Sequence, residues 1–123
     1  MTGVKVVDAS ALAAILFAEP EAEAMAERLD GARLAAPTLL DHESANVCLT
    51  KIRRQPNERE AIRAAFRLAH RLNVKTVAVD YLATLDLAEA TGLTAYDASY
   101  LWLARSLGGE LVTLDRKLAA ASL

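Results

Sequence analysis

One cysteine stands in a chain of 123 residues. That excludes an intramolecular disulfide and a cysteine-based zinc site, and it suits a reducing cytoplasm. Cys48 lies in an apolar helical pattern and is expected to be a small core residue. The two histidines, His42 and His70, lack the spacing of a zinc pair. No basic segment opens the chain: only Lys5 precedes most of the apolar stretch 4–18, Asp8 interrupts it, and an acidic segment follows. A secretory leader is therefore not expected. No run reaches the roughly 18 uninterrupted apolar residues that span a bilayer, so the chain reads as soluble, with no membrane partner. An excess of charge is missing too: 14 Lys and Arg against 16 Asp and Glu leave a net charge of −2. The chain as a whole is not a strongly basic nucleic-acid binder. Internal repeats, linkers and low-complexity tracts are absent.

What is present is an ordinary globular composition, 54% apolar and 24% charged. The length predicts one domain over residues 1–123. Such a chain buries roughly two-thirds of its unfolded surface. Strand-like and helix-like pieces alternate. Val4–Val7 is short, β-branched and apolar, as a buried parallel strand should be. Helices are predicted over 10–18 and 21–29, then a short strand over 34–36. The spacing predicts a helix over 38–53, capped by Thr38, and another over 58–72 with Ala61, Ala65, Leu68 and Leu72 as its apolar stripe. A strand over 76–79, helices over 82–90 and 94–107, a strand over 111–114 and a helix over 117–122 complete the pattern. This order predicts a parallel sheet flanked by helices, with ligands beyond the carboxyl ends of the strands.

Four acids fall where such a fold would gather them. Asp8 ends the first strand, Glu43 lies one turn into the helix after Pro37, Asp97 opens a later helix, and Asp115 follows the last strand. Each has a plainer use. Asp8 and Asp115 suit helix N-caps, and Asp97 fits a capping box begun by Thr94. Glu43 is the hardest to explain that way, because it borders the apolar face of its helix and Asp41 already serves the helix dipole. Together they pose a charge problem. Two like charges about 4 Å apart cost on the order of 4 kcal/mol at an effective dielectric of about 20. A divalent cation is the usual remedy, and oxygen ligands without cysteine favour Mg²⁺ or Mn²⁺ over zinc.

At these residues the chain resembles the PIN domains, specifically the VapC-type toxins of bacterial and archaeal toxin–antitoxin pairs. The anchors are Val6-Val7-Asp8-Ala9-Ser10-Ala11-Leu12; Ala36-Pro37-Thr38-Leu39-Leu40 leading to Glu43 and Asn46; Leu93-Thr94-Ala95-Tyr96-Asp97-Ala98; and Leu111-Val112-Thr113-Leu114-Asp115. Each is short, but the four in order span almost the whole chain. The resemblance implies a PIN-like α/β/α sandwich and Mg²⁺-dependent endoribonuclease activity. It also implies a homodimer and a cognate antitoxin that blocks the site. It makes Asp8, Glu43, Asp97 and Asp115 the metal-binding, catalytic acids, with Ser10, Asn46 and Thr113 as supporting polar residues.

An acidic site that takes a polyanion needs cations nearby. Lys51, Arg53, Arg54, Arg59, Arg63, Arg67, Arg71 and Lys75 crowd one stretch of the chain. Arg59, Arg63 and Arg67 repeat every four residues, with Arg71 beyond, as an RNA backbone track or as a solvated helix face. Arg116 and Lys117, beside Asp115, are alternative phosphate contacts. Tyr96, Tyr100 and Trp102 are candidates for stacking on a base, with core or dimer interface favoured for the last two. Two other readings compete: a non-catalytic PIN-like module that binds RNA or protein, and a phosphoacceptor signalling domain. The latter would want paired acids after the first strand and a lysine ending the last, where this chain has one Asp and Asp115.

Overall fold

In a computed structural model that describes residues 3–123, strand β1 (Val4–Val7) runs through the middle of the protein. Val6 and Val7 are both fully buried although they point to opposite faces. A strand buried on both sides is what the unbroken β-branched run calls for. It pairs in parallel with β2 (Arg33–Pro37) on one side and β4 (Glu110–Val112) on the other. β3 (Lys75–Val77) lies outside β2, also parallel, which gives the order β3-β2-β1-β4.

The helices between the strands are α1 (Ala9–Leu16), α2 (Ala22–Leu29), α3 (Leu39–Arg54), α4 (Arg59–Arg67), α5 (Tyr81–Thr91), α6 (Ala95–Leu107) and α7 (Arg116–Ala121). They flank the sheet in an α/β/α arrangement. α6 packs along β1, β2 and β4, α3 packs on α1, α4 and β2, and α1 packs on α2. Alanines at 11, 13 and 14 let α1 bury several of its faces. Tyr100, Leu101, Leu103 and Leu118 are the bulkiest fully buried side chains. Burying a large apolar side chain contributes about 1.5–3 kcal/mol.

Chain direction is what places the site. From β1 the chain steps outward to β2 and β3, then returns to the other side of β1 as β4. The carboxyl end of β1 is thus the point where the winding reverses, and loops leaving β1 and β4 part there. β4 begins in a tight place: a Cβ added to Gly109 would lie 2.6 Å from the carbonyl oxygen of Val4, so only glycine lets the two chains pass.

Three local expectations are corrected. The predicted helix 58–72 ends its α-helical part at Arg67 and tightens into a 3₁₀ turn over Leu68–Leu72, which Asn73 closes in a left-handed conformation. Its stripe is shifted: Ile62 is buried and Ala65, Phe66 and Ala69 are half-buried, whereas Ala61 and Leu68 are exposed. α-Helical and 3₁₀ periods differ, so one stripe cannot run through both. Thr38 precedes α3 without a side-chain capping bond. Its own backbone is already helical (φ −56°, ψ −25°), not the extended conformation that aims a hydroxyl at the first turn.

Candidate active site

Asp8 follows β1 and is 5% exposed. It caps α1, with Oδ1 accepting from the Ala11 amide at 3.0 Å and from the Ser10 hydroxyl at 2.7 Å. Its other oxygen accepts from the Thr113 hydroxyl just past β4. Ser10 and Thr113 in turn receive the amides of Leu114 (2.9 Å) and Asp115 (3.0 Å). The two supporting hydroxyls expected from sequence therefore lace the ends of β1 and β4 around one carboxylate. Burial pushes the Asp8 carboxyl above its usual range and the Asp115 charge adds to this, against the lowering effect of the three donors.

Glu43 sits on the second turn of α3, one flank away from the buried line Leu40, Ser44 and Cys48. The Tyr100 hydroxyl donates to its Oε1 at 2.5 Å. Desolvation raises the Glu43 pKa, the Tyr100 bond opposes it, and Asp97 and Asp8 raise it further. Tyr100 itself is 1% exposed, and burial and then Glu43 hold its phenol protonated well above the ordinary value. Tyr100 belongs to the core, as expected, but it is also a partner of the acidic group. The signal lay in the spacing: Asp97 and Tyr100 are three apart and share a face of α6.

Asp97 occupies the third position of α6, where its amide bonds the capping Thr94 hydroxyl at 3.1 Å. Its carboxyl is raised first by burial, then by Asp115 and Asp8, and lowered by Lys117 and Thr94. Asp115 caps α7, accepting from the Leu118 amide at 2.9 Å. The capping uses of Asp8 and Asp115 are thus real. They do not remove the charge problem, because Asp8, Glu43, Asp97 and Asp115 lie close enough to act on one another.

This donor set of carboxylates and hydroxyls, with no thiolate or imidazole, suits a hard divalent cation. It is not a finished cage. Among the described residues, no three His, Cys, Asp or Glu side chains already converge as ligands of one ion. Hydrogen bonds account for the spread: both oxygens of Asp8 and one each of Glu43 and Asp115 are held by protein donors. The four acids thus form an electrostatic cluster, with Asp8, Asp97 and Asp115 acting on their neighbours.

Residues 5–122 match the family model of the PIN domain. The chain belongs to the PIN domain family. It is 34% identical over 119 residues to Ribonuclease VapC3 of Pyrobaculum aerophilum, covering 93% of this chain and 91% of that protein. It also superposes on the crystal structure of PAE2754 from the same organism with a TM-score of 0.78 and 30% identity, covering 99% of this chain and 88% of that one.

In this PIN domain a cleft of about 650 Å³ opens beside the acids. Ala9, Leu39 and Val47 line it, with Glu43, Asn46, His42 and Tyr96 among its polar and aromatic members. The expected companion Asn46 thus shares the Glu43 side of α3. The arginines do not. Arg63 and Arg67 line a separate groove with Ala45, Cys48 and Leu49, none of which lines the cleft of Glu43 and Asn46. Lys117 is the nearer cation: it acts on Asp97, and its ammonium donates to the Gly92 carbonyl at 2.7 Å. No helix among the described residues is long and apolar enough to cross a membrane.

Proposed function

We propose that this PIN domain is a metal-dependent endoribonuclease that hydrolyses RNA phosphodiester bonds, and that it is the toxin of a toxin–antitoxin pair. One observation carries the reading. Four carboxylates gather at the switch point of the sheet, where burial and then the charges of Asp115, Asp97 and Asp8 raise the pKa values of Asp8, Glu43 and Asp97. Similarity to a protein named as a ribonuclease supports the substrate class. Asp8, Glu43, Asp97 and Asp115 would hold Mg²⁺ or Mn²⁺, which when bound supplies a Lewis acid for the phosphodiester and lowers the pKa of a water.

The chain's own groups divide the remaining work. Asp8, fixed by Ser10, Thr113 and the Ala11 amide, is the rigid anchor. Glu43 has one oxygen tied to Tyr100, so its other oxygen is available to a water or a cation. The raised pKa values of Glu43 and Asp97 make them stronger proton acceptors than ordinary carboxylates, as a general base requires. Lys117 and Arg116 are the phosphate contacts closest to the acids. Arg59, Arg63, Arg67 and Arg71 serve a more distant part of the RNA backbone, reached around α3. The cognate antitoxin blocks the acidic cleft, the working unit is a homodimer, and the setting is the cytoplasm.

A fluorescent unstructured oligoribonucleotide tests the assignment. Cleavage by the wild-type chain is expected to require Mg²⁺ or Mn²⁺ and to be lost in Asp97→Asn. Undiminished cleavage by highly purified Asp97→Asn protein, or none by wild type in either metal, overturns it. Induced expression tests the toxin role: growth arrest is expected from wild type and not from Asp97→Asn.

A further inference from the structure

We propose that the cleft beside Glu43 is a nucleobase subsite in which Tyr96 stacks on the base adjoining the scissile phosphate. This rests on the ribonuclease reading above. The starting point is a contrast within one helix. Tyr100 is 1% exposed and packed in the core, whereas Tyr96, one turn earlier, is 66% exposed. Tyr96 therefore has little part in holding the fold together. It lies instead on the wall of a cleft that also contains Glu43, so the aromatic ring and the Glu43 carboxylate open into one space.

The ring is well placed to be a platform. Tyr96 is the residue before Asp97 in the first turn of α6, where the Thr94 hydroxyl fixes the backbone by accepting the Asp97 amide. The backbone that carries both ring and carboxylate is thus anchored by the cap. The cleft volume of about 650 Å³ falls within the roughly 300–1,000 Å³ of small-molecule sites. Its chemistry matches a base better than a phosphate. Leu39 and Val47 offer apolar surface to a planar ring, and His42 and Asn46 offer donors and acceptors to its edge. A phosphate entering there would meet the Glu43 carboxylate with no Lys or Arg among the lining residues. A neutral base meets no such repulsion. The phosphate is accordingly directed to the Asp8, Asp97 and Lys117 side while the base lies against Tyr96. Single-stranded RNA is recognised in this way, through unstacked bases on aromatic side chains.

The test combines cleavage and binding. Single-turnover cleavage of a fluorescent 12-nucleotide single-stranded RNA in Mg²⁺ is measured for wild type, Tyr96→Ala, Tyr96→Phe and Tyr81→Ala. The last removes a tyrosine that is 76% exposed on α5. Loss of one stacked base predicts an increase of about 5- to 100-fold in the half-saturating concentration for Tyr96→Ala, a smaller fall in maximal rate, recovery in Tyr96→Phe and no change in Tyr81→Ala. Replacing single nucleotides of the RNA by abasic ribose should find one position whose loss matches that of Tyr96→Ala and is not added to it. Fluorescence anisotropy of the same RNA on Asp8→Asn, with and without Tyr96→Ala, reads binding apart from catalysis. If wild type cleaves and Tyr96→Ala keeps the wild-type half-saturation and affinity, the base subsite is wrong and the nuclease reading stands. If nothing cleaves but binding depends on Tyr96, the nuclease reading fails and the subsite stands. If the Tyr96→Ala and abasic losses add at every position, stacking on Tyr96 is overturned.

Discussion

The two ends of strands β1 and β4 carry opposite charge economies. At the amino end, Glu110 meets Arg28 at 2.5 Å and Lys5 at 3.6 Å, and these partners, Arg28 foremost, hold its carboxyl below the usual range. At the carboxyl end, a few residues away, Asp8, Glu43 and Asp97 are raised by burial and then by neighbouring carboxylates, Asp115 among them. Among the described residues, Lys117 is the one cation that lowers any of the three. Glu110 is paired with cations, whereas Asp8 and Asp115 are held by neutral donors and keep their charges uncompensated. Repulsion is thus stored at the end of the sheet where a parallel α/β fold binds ligands.

The two ends are expected to differ most in activity. Asp97→Asn is expected to lower the metal-dependent single-turnover cleavage rate by about 100-fold or more, whereas Glu110→Gln leaves it unchanged. Equal losses in both would show that the two ends do not differ in function. Next comes metal. Mg²⁺ at about 100 times its dissociation constant should stabilise the fold by about 2.7 kcal/mol, read as an increase in melting temperature, and Asp97→Asn should remove most of that gain. Smaller effects follow without metal. Asp97→Asn is expected to stabilise the metal-free chain by up to about 1 kcal/mol, while Glu110→Gln destabilises it by about 0.5–1 kcal/mol, both modest because solvent screens exposed pairs. Asp8→Ala should cost about 1–2 kcal/mol through its lost cap. Denaturant titration distinguishes these signs.

The smallest effect is in pH. Asp8, Glu43 and Asp97 have folded pKa values raised above ordinary values of 3.8, 4.5 and 3.8. Between the ordinary and the raised value the folded state binds more protons than the unfolded one, so stability falls as pH rises through that window. The metal-free protein should therefore gain stability on acidification from neutrality toward the ordinary carboxylate range, and Asp97→Asn should gain less. Glu110 works the other way, its lowered pKa giving stability that is lost as pH falls through it. A metal-free stability that only declines on acidification would mean that pairs like Glu110 outweigh the cluster.

Much of this was legible in the residues because the signals were local. The β-branched run before Asp8, the glycines after α5 and α6, and the capping positions of Asp8 and Asp115 each depend on neighbours within a few positions. The border position of Glu43 on α3 also followed from helical period alone. What failed locally failed for tertiary reasons. Thr38 met every sequence requirement of a cap, yet its amide is drawn to the Val77 carbonyl of β3 at 3.2 Å and its backbone is already helical. The stripe of α4 shifted because packing on α3 selected Ile62 and Phe66 over Ala61 and Leu68.

The alternation of strands and helices, the four acids and their order follow from the residues alone, since these rest on period, propensity and short-range capping. Which groups meet depends on how the elements pack. It took chain reversal at β1 to bring Thr113 onto Asp8, 105 positions away, and α6 crossing the sheet to set Tyr100 on Glu43 and leave Tyr96 in the cleft. The same packing also set Arg63 and Arg67 in a groove apart from that cleft. Distances between remote residues depend on how whole elements pack, and no local pattern encodes that.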